Sequence, residues 1–591
     1  MAIYKAPLRD MRFVLDEVFH AEQFWAGIPH LADVVSRDVV DAILEESAKL
    51  NENLIFPLNR SGDEEGAQFS NGVVTTPKGF KDAFRQYGEG GWIGLGADPQ
   101  YGGAGLPKTV TVMTDEILFA ANPSFALYPL LGIGAALAMS QHATQELNDR
   151  YLPKIYSGEW AGTMCLTESH AGTDLGIIKT RAVPQADGSY SITGNKIFIT
   201  GGEHDLASNI VHLVLAKLPD APAGSKGISL FLVPKFLVNA DGSLGERNPV
   251  GAGSIEHKMG IKASATCVMN FDDAKGWLIG KPNEGLAAMF VMMNYERLSM
   301  GIQGLGASEV AYQSAAAYAR DRVQGRSATG VKQPEKPADS LLVHPDVRRM
   351  LLKIRAHNEA ARCFAMYTAK YLDLSKYSES PEERRIAADR VALLTPVTKA
   401  FLSDRGFEAC VDAQQVFGGH GFIREWGMEQ LVRDTRIAQI YEGTNGIQAL
   451  DLTGRKVAKN NGEFVATFVA EVRAVLAGLD PRLAVYAEAT GKALDALEVT
   501  TQYIVSAAKA NPDEINAASV DYLHQFGLVS YAYMWVLMLA AALPKRDTGF
   551  YAHKFAVADF FFQRMLPEAD ARAAMVRAGS SSLMALDAAA F

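Results

Sequence analysis

Only four cysteines occur in 591 residues. Cys165, Cys267, Cys363 and Cys410 stand far apart and form no CxxC pair, which excludes a zinc ribbon or a disulfide framework. Positive charge is also scarce. With 57 Lys and Arg against 67 Asp and Glu the formal net charge is −10, which argues against nucleic acid or an anionic membrane as a general partner. There is no GxxxxGK[ST] and so no P-loop, and no HExxH. The twelve histidines form no close-spaced ligand set, so no metal is expected. Two glycine pairs, Gly132-Ile133-Gly134 and Gly304-Leu305-Gly306, lie in Ala-rich helical surroundings and not after a buried strand. They read as small residues for close helix packing, not as a dinucleotide fingerprint. The chain start, MAIYKAPLRDMRFVLDEVF, has no continuous apolar run of the secretory kind, so a cytoplasmic location is expected. The longest apolar run, residues 526–543, stops at Pro544 and is marginal against the roughly 20 residues a membrane span needs. Tyr531, Tyr533 and Trp535 lie within it. It reads as a helix buried in a core or subunit contact, not as an integral membrane span.

What is present divides by texture. Residues 1–159 read mainly as helices broken by glycine loops, with apolar positions at helical spacing over 38–50. From 160 to 276 the pattern shortens to strand-like runs at 190–200, 210–217, 228–235 and 267–273, and Gly194-Asn195 reads as a turn. The helical period returns over 277–460, with Pro345 placed to begin a helix. A further helical module follows at 461–591. The fold class is therefore α+β: an N-terminal helical domain, a small central β domain, a C-terminal helical bundle and an extra helical domain.

Three segments carry the chemistry: MCLTESHAGTDLGIIKTRA (164–182), ITGNKIFITGG (192–202) and QVFGGHGFIREWGMEQLVRDTRIAQIYEGTNGIQ (415–448). In this order the chain resembles the acyl-CoA dehydrogenase family, whose signatures are a TE-x-x-AG-[ST]-D loop, a GxKxxIT strand, a QxFGGxGF turn and an IYEGT segment. The resemblance spans roughly residues 40–460. Length and the extra C-terminal helices resemble a large bacterial branch that includes enzymes oxidising 3-methylthiopropanoyl-CoA in dimethylsulfoniopropionate breakdown. The implied architecture is that of the family, with its four-helix-type C-terminal bundle. The implied reaction is FAD-dependent α,β-dehydrogenation of an acyl-CoA, with electrons passed to an electron-transferring flavoprotein. The base would be Glu442. Glu296 is the alternative, because isovaleryl-type branches carry their base there. Substrate-facing positions would be Thr173, Arg297, Tyr441 and Glu442. The flavin would meet Met164, Leu166, Thr167, Gly172, Thr173, Phe198, Thr200 and Thr444. A neighbouring subunit would add Arg322, Gln324, Gln415, Gly418 and Gly419, so at least a homodimer is implied. The pattern departs from the family at Phe198, Ser169-His170, Gly325 and Gly446. Two rivals stay open: an acyl-CoA oxidase, and a DNA-associated flavoprotein homologue. The latter wants a basic C-terminal face, whereas residues 578–591 hold no Lys or Arg.

Overall fold

The structure is a computed structural model and describes residues 2–591. It divides into two compact units. One comprises Lys49–Pro107 and Ala121–Glu296, the other Met1–Ala48, Lys108–Ala120 and Arg297–Phe591.

The first unit holds a seven-stranded sheet: β1 (Trp160–Cys165), β2 (Arg181–Pro184), β3 (Tyr190–Thr200), β4 (Asn209–Lys217), β5 (Ile228–Pro234), β6 (Val250–Ile255) and β7 (Thr266–Ile279). The order is β6-β7-β3-β2-β4-β1, and β5 pairs with both β7 and β4. Five strands, β7-β3-β2-β4-β5, thereby close a ring, which leaves them no free edge. β4 and β5 are nearly continuous in apolar residues because they are buried on both faces. Gly194-Asn195 is not the turn the sequence predicts. Both residues lie inside β3, paired with Phe271 and Asn270 of β7. A Cβ on Gly194 would stand 2.5 Å from Thr180 Oγ1, so the glycine serves a close crossing and not a reversal. Helix α1 (Pro123–His142) in the same unit is capped by Asn122, whose side chain accepts from the Phe125 N–H at 3.0 Å.

The second unit is built on long helices. α2 (Gly285–Asp321) runs into it from the first unit, followed by α3 (Pro345–Tyr377), α4 (Pro381–Val416), the short α5 (Asn445–Leu450) and, in the C-terminal region, α6 (Asp513–Ala542). Pro345 opens α3 as the sequence predicts. A Cβ on Gly304 would stand 2.7 Å from Leu402 O, and one on Gly406 2.4 Å from Gly304 O. The backbones of α2 and α4 therefore touch, which is the packing role read for the 304–306 pair. Arg362 on α3 is fully buried and is matched by Glu116 at 2.6 Å and Glu309 at 3.0 Å, so its charge is compensated. The apolar run at 526–543 falls within α6 up to Ala542, and Leu543 begins the turn that follows. The most apolar 18-residue window of that segment is 83% buried inside the chain, and the Tyr531 hydroxyl bonds His357 Nδ1 at 2.9 Å. It is a core helix.

Candidate active site

In the β unit, residues 164–167 lead from the end of β1 into a loop that returns at β2. Glu168 is buried beneath this loop. It accepts from the backbone N–H of Lys179 (2.7 Å) and Thr180 (3.0 Å), from Thr180 Oγ1 (2.6 Å) and from Lys196 Nζ (2.9 Å). Lys196, fully buried on β3, also donates to Leu166 O at 2.9 Å, and the Ile197 N–H donates to Thr167 O at 2.9 Å. Burial alone would raise the Glu168 pKa. The adjacent Lys196 charge and these hydrogen bonds outweigh it and hold the carboxyl at about 2. One ion pair thus locks the TE loop to the GxK strand. Sequence reasoning named neither residue as a site residue, although a charged pair inside two otherwise apolar or turn-forming motifs was a usable signal.

Above this pair the predicted positions turn outward. Gly172 and Thr173 are exposed, Met164, Thr167 and Thr200 half-buried, and Leu166 buried. Phe198 is 58% exposed with φ +59°. A bulky residue in the left-handed region is strained, and such residues concentrate at functional sites.

In the helical unit the ends of α2 and α4 are brought together by aromatic rings. Tyr318 stacks on Phe417 with centroids 4.1 Å apart, its hydroxyl bonds His420 Nδ1 at 2.8 Å, and His420 stacks on Trp426 at 4.4 Å. This places Arg322 and Gln324, just past α2, near the Gln415–Gly419 turn. All of Arg322, Gln324, Gln415, Gly418 and Gly419 are exposed, and a Cβ on Gly418 or Gly419 would meet nothing within 4 Å. Phe422, which the sequence did not single out, is 83% exposed beside them.

The YEGT segment forms a tight turn ahead of α5. Glu442 has φ +57° and Gly443 φ +80°. Gln448 of α5 donates to the carbonyls of Glu442 (3.4 Å) and Gly443 (3.3 Å). The Tyr441 hydroxyl donates to Gln303 Oε1 at 2.5 Å, and Thr444 is exposed. Among the described residues only Phe198, Ile261 and Glu442 have positive φ without being Gly, Asn, Asp or His. Two of those three are positions the sequence assigns to cofactor and base. Burial pushes the Glu442 carboxyl up to about 7, against the charges of Arg297 and Lys399. Lys399, buried on α4, is pulled down to about 7 by desolvation, against the pull of Glu442 and Asp404. Arg297 is nearly buried, and its pKa too is lowered by burial, countered by Asp451 and Glu442. Lys399 lies in no motif that sequence reasoning used. Glu296 is fully buried in the first unit, packed so closely on α1 that a Cβ on Gly134 would stand 2.6 Å from its Oε1.

This geometry offers a desolvated carboxylate flanked by cations, and two exposed, amide-bearing surfaces suited to a dinucleotide. Family comparison agrees. The chain matches the acyl-CoA dehydrogenase N-terminal domain over residues 43–159, the middle domain over 163–274 and the C-terminal domain over 283–456, with an acetyl-CoA dehydrogenase C-terminal-like domain over 468–587. It is 41% identical to a 3-methylmercaptopropionyl-CoA dehydrogenase of Ruegeria pomeroyi, covering 98% of this chain and 99% of that one. It is 33% identical to the broad-specificity linear acyl-CoA dehydrogenase FadE5 of Mycobacterium tuberculosis over the full length of both. In fold it is similar to a Bacillus anthracis acyl-CoA dehydrogenase solved with FAD, with a TM-score of 0.75, 23% identity and coverage of 97% and 92%. The chain belongs to the acyl-CoA dehydrogenases, a family of FAD-binding oxidoreductases.

Proposed function

We propose that this chain dehydrogenates an acyl-CoA at Cα–Cβ with Glu442 as the base. The observation that carries the reading is the state of Glu442: desolvated, held in a left-handed turn and poised near neutrality between Arg297 and Lys399. A base with pKa near 7 combines a useful ionised fraction with proton affinity. The carboxylate takes an α-proton while the β-hydride would pass to the oxidant that a bound flavin supplies, and the product is the trans-2-enoyl-CoA. The Glu442 N–H makes no hydrogen bond among the described residues, which supports its use as a donor to the thioester oxygen as enolate charge develops. Glu296 is the alternative base.

FAD, when bound, supplies the hydride acceptor. The residues fit it. Met164, Leu166, Thr167, Gly172, Thr173, Phe198 and Thr200 offer a ring-facing surface with an exposed aromatic, while Arg322, Gln324, Gln415, Gly418, Gly419 and Thr444 offer an arginine and open amides suited to a pyrophosphate. Thr173, Arg297 and Tyr441 line the substrate. Arg322, Gln324, Gln415, Gly418 and Gly419 serve the flavin of a neighbouring copy, which supports a homodimer, and Phe422 at 83% exposure is in keeping with a surface that becomes covered. The extra C-terminal domain occupies 461–591, after domains at 1–159, 160–276 and 277–460. Electrons pass to an electron-transferring flavoprotein in the cytoplasm.

The likeness to the Ruegeria pomeroyi enzyme supports 3-methylthiopropanoyl-CoA, oxidised to 3-methylthioacryloyl-CoA, as substrate. The likeness to a broad-specificity linear enzyme supports a straight-chain fatty acyl-CoA as the second reading. A kcat/KM panel over acyl chain lengths that includes the methylthio thioester separates them. Preference for long chains with no methylthio turnover would remove the first. Hydrogen peroxide formed stoichiometrically under air would mark an oxidase.

A further inference from the structure

We propose that the C-terminal helical module positions the catalytic base, through a clamp in which His524 holds Asp404 and Asp404 grips both flanks of the Glu442 turn. This rests on the reading of Glu442 as the base.

The clamp is built on one carboxylate. Asp404 Oδ1 accepts from Gln439 Nε2 at 2.7 Å and from Asn445 Nδ2 at 2.6 Å. Gln439 lies three residues before Glu442 and Asn445 three residues after it. The turn is therefore tied at its entry and its exit to a single oxygen on α4. Asn445 is held further by Lys399 Nζ, which donates to its Oδ1 at 2.7 Å. The other oxygen of Asp404 faces α6, where His524 Nε2 donates to Oδ2 at 3.1 Å. The ring is buried and its Nδ1 has no partner, so Asp404 is its one polar contact among the described residues. Phe401 lies edge-on to His524 with centroids 5.6 Å apart. A Cβ on Gly527, one turn further along α6, would stand 2.4 Å from the Phe401 ring. Helix α6 is thus seated on α4 at the level of Asp404. A strained backbone persists only where its surroundings over-determine it, and Glu442 at φ +57° is over-determined from both sides by this arrangement. His524 and Asp404 are positioning residues, because neither is required to touch substrate.

The test uses the full-length, FAD-replete enzyme with His524→Gln, His524→Asn and His524→Ala. Gln presents an amide donor at about the reach of Nε2, and Asn does not. Anaerobic flavin reduction should slow by about tenfold in His524→Ala and His524→Asn, as loss of alignment by a fraction of an ångström implies. His524→Gln should stay within about threefold of the parent. Acyl-CoA Kd, read from the flavin spectrum, should change by less than about twofold in all three. Amide exchange across residues 437–448 should quicken in the Ala and Asn variants only. Equal reduction rates in the Gln, Asn and Ala variants, with only thermal stability altered, would overturn the proposal. If reduction collapses in Glu442→Gln yet is untouched in all three His524 variants, the base stands and the clamp falls. If reduction survives in Glu442→Gln, the base itself is misassigned and the clamp, as a device for that base, falls with it.

Discussion

Phe198 and Glu442 share an unusual backbone, yet the two regions hold it by different means. On the β3 side the support is local and ionic. Glu168 and Lys196 stand within the two motifs that they join, and the pair is closed off from solvent. On the α5 side the support is one carboxylate, Asp404, which accepts from two side-chain amides of the turn and from His524, so it is assembled from α4, the turn itself and α6. The ionic prop leaves its loop carboxyl far below neutrality, at about 2. The Asp404 support does not touch the Glu442 carboxyl, which burial raises to about 7. A cation in hydrogen-bond contact fixes a loop but would also disarm a base, whereas Glu442, the proposed base, is propped through its sequence neighbours, with Arg297 and Lys399 acting on it through space.

The comparison breaks most visibly if the ionic prop is cut. Lys196→Met leaves the Glu168 charge buried without its cation and should cost about 3–5 kcal/mol, read by denaturant unfolding, with loss of FAD retention. The same pair gives an acid limb. The Glu168 carboxyl binds its proton at about 2 when folded and near 4.3 when unfolded. Its contribution is present above roughly pH 4.3 and disappears as pH falls toward 2, and Glu168→Gln should flatten that limb.

Next in size is the chemical step. Glu442→Gln keeps volume and backbone N–H but abolishes the base. Acyl-CoA should still perturb the flavin spectrum, while anaerobic reduction slows by at least ~10²-fold. Glu296→Gln should lose far less, and the opposite order would move the base to Glu296. The pH profile is a finer probe. With Glu442 as the proposed base acting in its ionised form, kcat/KM should rise about tenfold per unit below pH 7 and level off above it. A profile flat from pH 5.5 to 8 would contradict a base poised near neutrality. The smallest effect is expected at the exposed ring. Phe198→Gly relieves the positive φ and should stabilise the cofactor-free protein by about 1 kcal/mol, while weakening FAD binding in titration.

Much of this was legible in linear order. The change from helical period to short apolar runs marked the β region, Pro345 marked a helix start, and the YEGT segment marked the tight turn that carries Glu442. The ring closure through β5 was not legible, since apolar runs do not say which neighbours they pair with. Gly194-Asn195 misled because a glycine required for a crossing at Thr180 looks the same as one required for a turn. Lys399, Asp404 and His524 were silent for another reason. Their partners lie 35 to 120 residues away, and no local spacing encodes a contact of that kind.

That separation has a consequence for the order of events during synthesis. Chains emerge from the ribosome at about 5–20 residues per second, so His524 appears seconds after the turn it steadies. A nascent or truncated chain ending before α6 would carry every signature motif and still lack the last restraint on its base. On the proposed clamp, the Glu442 turn gains its full restraint late, when the final helices dock, and a half-made copy would hold that turn more loosely.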